Sequence, residues 1–369
     1  MTKEVKLIAF PSNLVDDPCF YRCLGPLAAL RRHRNLQIQV IENVNWASLS
    51  MNDIVMLQRP FTSNQLKIAE MAVRHGLPLW VDHDDDVFNL PKGHPAFENY
   101  MNPGVHATIA NILRLADVVT TSTVALKKVC ERFNPNVSVI PNALMSNMVG
   151  AIRDTDRQRT GLVYWRGSTT HQRDLDFYTP QMVEVARRNP AVPWLFHGLG
   201  AANYRLLEMI PGSQKTQRVD PIEYFSVISN LRPRVFVVPL EDNAFNHSKS
   251  NIAWIEATYA GAVCVAPAWE EWDRPGVLNY TPETFADTLH KAINLSPPEH
   301  QELWSMSAQH VAGVLDIDNV NFRRSAIIDE LMKKRHDVKW RSERRDALIR
   351  RSQQKAEGKQ APQSAPVAS

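Results

Sequence analysis

At 369 residues and 44% hydrophobic content, the chain is long enough for two cored domains, and no apolar run approaches the ~18 residues a membrane span needs. The net charge of +3 hides an uneven spread: Lys333 to Gln360 carries eleven Lys/Arg against four Asp/Glu, a surplus of +7, leaving −4 for the rest. A mildly acidic body argues against a nucleic-acid-binding core, and four cysteines without metal-ligand spacing point to buried thiols in a reducing, cytoplasmic setting.

Lys6 to Phe10 reads as a strand directly after the N-terminus, so no signal peptide is expected. A loop with Pro11, Ser12 and Asn13 leads to a helix expected to open at Tyr21-Arg22 and run through Leu30, and Leu36 to Ile41 is a second strand. Ile54 to Leu57, a helix over Asn64 to Arg74 closed by Gly76, and a strand over Leu77 to Val81 continue the alternation. That strand runs into Asp82-His83-Asp84-Asp85-Asp86. Carboxylates at a strand end can hold a metal, but short D-x-D strings are common, and the same acids suit a cleft wall or a turn; no metal site is assigned. Ala107 to Leu115 is helical, Val118 to Thr121 a strand, Thr123 caps a helix through Phe133, and Val137 to Ile140 ends at Pro141-Asn142. Met145 to Thr160 lacks periodicity. Residues 1–145 therefore form the first domain, with 146–160 as the linker.

The second domain, 161–315, opens with a strand from Gly161 to Trp165. Arg166-Gly167-Ser168-Thr169-Thr170-His171 then precede a helix, which places bare backbone N–H groups at a helix start and favours anions. Trp194 to His197 is a strand, and Gly198-Leu199-Gly200 lacks the third glycine of a dinucleotide fingerprint, so it reads as a turn. After a helix over Ile222 to Ile228 comes the centre of the chain, Val235 to Pro267. It holds a buried strand (Val235–Val238), a polar loop (Glu241–Ser248), a helix marked by Ile252, Ile255 and Tyr259 and ended by Gly261, and a second buried strand (Ala262–Ala266). The loop lies at the carboxyl end of a strand, where open α/β sheets bind ligands. Lys249 and Glu256, seven residues apart, are expected on one helical face: a cation suited to phosphate and a carboxylate suited to ribose hydroxyls. Helices over Glu283–Leu295 and Glu299–Val314 follow, then a last helix within 316–340. The stretch 341–369 is basic, turns Ala/Pro/Ser/Gln-rich, and is expected to be disordered.

Around Lys249 the chain reads PLEDNAFNHSKS, followed by helical Glu256 and the Gly261 turn. It resembles the nucleotide-sugar half of GT-B glycosyltransferases of the group-1-like bacterial and phage type. Phe245, Asn246, Lys249, Ser250, Glu256 and Gly261 carry the likeness. Tyr21, Arg22 and Pro26 fit its YR-x-x-x-P arrangement, Asp85, Asp86 and Phe88 its DD-x-F element, and Gly167, Ser168, His171 and Asp174 its GS-x-x-H-x-x-D element. The resemblance implies an α/β GT-B fold: two doubly wound Rossmann-like domains facing a cleft, the 316–340 helix crossing back onto the first, and a basic C-terminal tail.

The activity it implies is transfer of a sugar from a nucleotide diphosphate sugar to an acceptor hydroxyl, retaining and without a metal or other cofactor. Gly167, Ser168, Asn246, Lys249 and Ser250 are then expected at the donor, with Glu256 on its ribose and Val219 to Pro221 beside its base. Arg22, Asp85 and Asp86 are expected on the acceptor side, and Glu241, Asp242 and His171 at the chemistry. One departure stands out. The commoner group-one pattern spaces two glutamates eight apart, whereas Glu241 and Asp242 lie fifteen and fourteen residues before Glu256. A saccharide or glycolipid is the expected acceptor. Phage DNA with modified bases is an alternative, because phages use this fold on DNA and the tail is basic. A GT-B nucleotide-sugar epimerase and a non-catalytic sugar-nucleotide binder are the others. The basic segment reads either as a solvated helical extension or as a tether to an anionic surface, and the latter would place a cytoplasmic protein peripherally at a membrane.

Overall fold

A computed structural model describes residues 4–41, 49–152, 159–199 and 205–356. They form two six-stranded sheets in which every pairing is parallel. The first contains β1 (Val5–Pro11), β2 (Leu36–Val40), β3 (Ile54–Gln58), β4 (Leu79–His83), β5 (Val118–Thr121) and β6 (Val137–Val139), in the order β2-β1-β3-β4-β5-β6. The second contains β7 (Val163–Arg166), β8 (Trp194–His197), β9 (Ser213–Thr216), β10 (Val235–Val237), β11 (Val263–Pro267) and β12 (Leu278–Tyr280), in the order β12-β11-β10-β7-β8-β9. Strands such as β3, β4 and β11 are buried along their whole length, as expected where helices cover both faces of a parallel sheet. The strand order reverses between β1 and β3 and between β7 and β10. Both switch points open toward the same cleft.

The two sheets are joined through the junction at Leu144, whose N–H donates to the Leu315 carbonyl while Ile317 donates back to Leu144, each at 2.8 Å. The helix Ile317–His336 then lies on the first domain: Asn321 Nδ2 donates to the Pro26 carbonyl at 2.9 Å, and Arg34 pairs with Asp329 at 2.6 Å. No helix among the described residues is long and apolar enough to cross a membrane. All four cysteines are free and buried.

Several expectations are corrected. Edge strands β9 and β12 were not foreseen, because Ser-Gln-Lys-Thr and Leu-Asn-Tyr carry no apolar run. The helix expected to open at Tyr21 begins earlier, at Asp17, where Asp16 caps the Cys19 N–H at 2.8 Å and Pro18 occupies the first turn. It passes through a π turn over Phe20–Leu24 before continuing as Gly25–Leu30. Ser146–Ile152, read as linker, is a short helix with Val149 and Ile152 buried, and the rest of that stretch up to 158 lies outside the described residues.

The largest correction concerns the tail. Val338–Ala356 is a helix packed against Ser63–Arg74. Arg344 pairs with the buried Asp117 at 2.8 Å and donates to the carbonyls of Leu77 and Leu115, and Leu348 is buried. Part of the basic charge thus neutralises and caps the first domain. Residues 357–369 lie outside the described residues.

Candidate active site

A cleft of about 390 Å³ runs between the two domains at the carboxyl ends of β1, β3, β4, β7, β8 and β10. Its second-domain wall begins at the loop after β7. Gly167 follows β7 and its N–H donates to the His197 carbonyl at 3.1 Å. A Cβ on Gly198, which sits at φ 96°, would collide with the Gly167 carbonyl, so only glycine lets the two loops approach. Ser168 caps the Thr170 N–H and opens the helix Gln172–Arg188 through a single 3-10 turn.

His171 reaches Asp174 with Nδ1 2.9 Å from Oδ2. Burial would raise the Asp174 carboxyl, but the hydrogen bond and charge of His171 outweigh it and hold it below the usual range. Asp174 is therefore an ionised acceptor, His171 donates through Nδ1–H, and its Nε2 is left for other partners. The other Asp174 oxygen accepts from the Glu241 N–H at 3.0 Å and from Asn246 Nδ2 at 2.7 Å. This ties the loop after β10 to the helix after β7.

Lys249 stands in the loop ahead of the helix Ile252–Ala260, its Nζ 4.4 Å from the Phe245 ring centroid and 3.7 Å from Asp85 across the cleft. Ser250 accepts from Asn142 Nδ2 at 2.9 Å.

The first-domain wall is a set of closed ion pairs. Arg22, fully buried, holds Asp82 through Nε (2.9 Å) and Nη2 (2.7 Å) and donates to the Ile140 carbonyl at 2.6 Å. Arg59 follows β3 in a left-handed conformation (φ 48°), unusual for a non-glycine residue. Its guanidinium grips Asp84 (2.7 Å through Nε) and touches Asp85 at 3.1 Å. Burial would raise the Asp85 carboxyl, but Lys249 and Arg59 hold it at about 2. Asp86 accepts from Phe88 N and Asn89 Nδ2, so it shapes a turn. Each carboxylate has its own protein partner, and the described residues contain no group of acids, histidines or cysteines arranged to hold a metal. His94 also lines the cleft. Burial, with Lys249 nearby, lowers it to about 4, and the Ala96 N–H donates to Nδ1 at 3.1 Å, so the neutral ring carries its proton on Nε2.

Beneath the second-domain wall lies Glu256, with no exposed surface. Its Oε1 accepts from Tyr21 Oη at 2.8 Å and faces Arg166 Nη1 at 3.2 Å, and its Oε2 accepts from Tyr224 Oη at 3.1 Å. Arg166 pairs with Asp17 as well and lies over the Tyr224 ring, 4.7 Å from its centroid.

Neither a family model nor a curated relative matches the sequence. Solved structures do match over nearly the whole chain. One is HepE from Anabaena in complex with UDP-glucose, at TM-score 0.62 and 13% identity over 88% of this chain and 99% of that one. Others are a glycosyltransferase from Rickettsia africae (TM-score 0.57, 12% identity, 90% and 100% covered) and a UDP-forming α,α-trehalose-phosphate synthase from Burkholderia vietnamiensis (0.58, 12%, 88% and 99%). The fold is GT-B.

Within this GT-B cleft, Gly167, Ser168, His171, Lys249, Ser250, Arg22 and Asp85 all line the wall. Val219, expected beside the base, lines it too, and the remaining expected site residues sit elsewhere. Asn246 is buried behind the wall as a loop tie, and Asp86 is a turn residue. Glu241 is clamped by Arg173 (Nη2 to Oε1, 2.7 Å), and Asp242 is exposed and paired with His247 at 2.7 Å; neither lines the cleft. Lys249 and Glu256 do not share a helical face, because the helix begins only at Ile252. Sequence reading missed Arg59, Arg166, Arg218, His94 and the pair Asp16–Asp17, all of which line the cleft. A signal was present for two of them: Arg166 directly follows a predicted strand, and Arg59 lies two residues past the end of another.

Proposed function

We propose that the chain is a glycosyltransferase that moves a sugar from a nucleotide diphosphate sugar to an acceptor hydroxyl. The observation that carries this reading is the pairing, at the carboxyl ends of β7 and β10, of Ser168, which caps the helix turn after β7, with a partly exposed Lys249 in the loop ahead of a second helix. Such donors suit the charge that develops on a leaving diphosphate. HepE, a fold neighbour, was solved with UDP-glucose, which makes UDP-sugars the first donors to try.

Lys249, Gly167, Ser168 and Ser250 hold the diphosphate, and His171 presents Nε2 toward the donor sugar or its phosphate. Asp85 and Arg59 face the acceptor side. Glu241 and Asp242 are tied to Arg173 and His247, so the reading gives them no part in the chemistry. The reaction is retaining, as the resemblance implies, and it is metal-independent, because the diphosphate has protein cations at hand and the acids of the first domain are already neutralised by Arg22, Arg59 and Lys249. The acceptor is a saccharide or glycolipid. The DNA alternative loses support, since Arg344 and its helix pack on the first domain.

The test is a donor-hydrolysis and transfer screen across UDP-, GDP-, ADP- and dTDP-sugars, with and without EDTA. Hydrolysis of one class, insensitive to EDTA, is expected. Isomerised donor without acceptor would show an epimerase, binding without turnover a sugar-nucleotide binder, and no interaction with any donor would overturn the reading. Loss of activity in EDTA restored by Mn²⁺ would overturn metal independence alone.

A further inference from the structure

The charges that line the cleft are divided by domain. Among the described lining residues, the second domain supplies Arg166, Arg218 and Lys249 and no acid, whereas the first supplies Asp16, Asp17, Asp84 and Asp85 against Arg22 and Arg59. Both first-domain arginines are committed. Arg22 is buried on Asp82, and Arg59 holds Asp84 and reaches Asp85. A phosphate or carboxylate entering on this side could be paired only by drawing one of them away, which would leave a largely buried aspartate uncompensated. His94 cannot take their place, because burial keeps its ring neutral above about pH 4.

The four aspartates are not equally satisfied. Asp17 is met from across the cleft by Arg166 and Arg218, and Asp85 by Lys249. Asp16 is different. Its Oδ1 caps the Cys19 N–H at 2.8 Å, and among the described residues it forms no ion pair. Burial raises its carboxyl, and the Cys19 N–H, Arg59 and Arg218 offset only part of that rise. On the same wall Pro18, Val87, Leu90 and the Tyr100 ring are apolar, the ring packing on Phe61 with centroids 5.3 Å apart. Burial raises the Tyr100 phenol, and the charges of Asp84, Asp85 and Asp16 add to it against Arg59, so ring and acids are neighbours. A carboxylate without a cation beside apolar faces suits a neutral polyol, whose hydroxyls donate to the acid while its C–H faces cover the apolar groups.

We propose that the first-domain wall selects acceptors that carry no negative charge near the reacting hydroxyl, uncharged saccharides in particular, and that Asp16 is the residue that sets this preference. The inference rests on the transferase reading and names the acceptor class within it.

The test follows nucleotide release from the donor that the screen identifies, at low ionic strength, while matched sugars are added: methyl glucoside against its 6-phosphate, and N-acetylglucosamine against its 6-phosphate. A sugar held on this wall changes the release, either by accepting the transferred sugar or by displacing the water that hydrolyses the donor. The neutral member of each pair should act at a concentration at least about tenfold lower than its phosphate, since like charges brought together are costly, and added salt should narrow the gap. Equal or stronger action of the phosphates overturns the proposal, as does a panel in which no neutral sugar acts. Asp16→Asn keeps a helix cap of equal quality, so the urea midpoint should hold, while the gap should shrink by about threefold or more, as for a partly exposed charge. An unchanged gap in that variant refutes the role of Asp16. If no donor is turned over, the transferase reading falls. Saturation-transfer NMR of the same sugar pairs on Lys249→Ala, with and without Asp16→Asn, then still decides the charge preference of the wall, because the second-domain cation is gone: neutral sugars bound in preference support it, and phosphates bound as well or better refute it.

Discussion

The two walls of the cleft are built on opposite principles. On the first-domain side, Asp82, Asp84 and Asp85 are matched to Arg22 and Arg59 within the same domain. On the second-domain side, Gly167 and Ser168 line the cleft, and Lys249 is held by a 3.7 Å contact with Asp85 and by the Phe245 ring. A wall whose acids are mostly matched by arginines of their own domain is a scaffold. A wall with a lightly held cation is where an anion gains most. The difference assigns stability to one side and anion binding to the other, although both sit at equivalent strand ends.

Mutations on each side can break or sharpen that contrast. The largest effect is expected from Arg22→Ala, which strands a buried Asp82 with Thr120 Oγ1 as its remaining close donor, at 2.6 Å. Removing one partner of a buried pair costs about 3–5 kcal/mol, so the urea midpoint should fall steeply, while any protein that still folds binds donor nucleotide with little change. A stable Arg22→Ala protein that has lost nucleotide binding would reverse the assignment of the two walls.

Lys249→Ala should do the opposite. Donor binding weakens by about 1.5–3 kcal/mol, the worth of a hydrogen bond to a charged group, with the denaturation midpoint almost unmoved. Titration calorimetry alongside a melt checks both halves, and unchanged donor affinity would return Lys249 to a mere partner of Asp85.

Asp85→Asn removes the anion that faces Lys249 and should tighten nucleoside diphosphate binding by a modest factor, about two- to fivefold, because the pair is partly exposed and screened. Weaker binding instead would mean that Asp85 itself contacts the donor.

The last effect concerns pH and lies on the scaffold side. Burial raises the Asp117 carboxyl to about 6 in spite of Arg344 and the Leu79 N–H. The folded chain thus holds this proton more tightly than the unfolded chain, where the value is near 3.8. The stability it contributes is present at low pH and is lost as pH rises through about 6. Stability measured from pH 4 to 7 should follow that limb in the wild type, and Asp117→Asn should flatten it.

Much of this was legible beforehand. Buried parallel strands announce themselves as short runs of β-branched or aromatic residues, and Val118–Thr121 and Trp194–His197 were placed to the residue. The Gly261 stop was legible because an αL cap needs a residue without a Cβ, and Gly261 sits at φ 84°. The polar edge strands β9 and β12 were not, since edge pairing asks little of side chains. The helix over Val338–Ala356 was missed for another reason: its composition is that of a solvated segment, and only the position of Asp117 and of the Leu77 and Leu115 carbonyls makes Arg344 a packing residue.

What the sequence determined by itself was the alternation of strands and helices, and with it the side of each sheet on which polar loops gather, because that follows from local periodicity and chain order. It also marked Gly167, Ser168 and His171 as residues of a loop at a strand end, whereas Lys249, expected on the helix with Glu256, stands in the loop before it. Only the tertiary structure decided which charges are free. Tyr21 and Glu256 are 235 residues apart in the chain, yet 2.8 Å apart in space. Which partner a buried carboxylate meets depends on the docking of two domains, and no local pattern of residues encodes that distance.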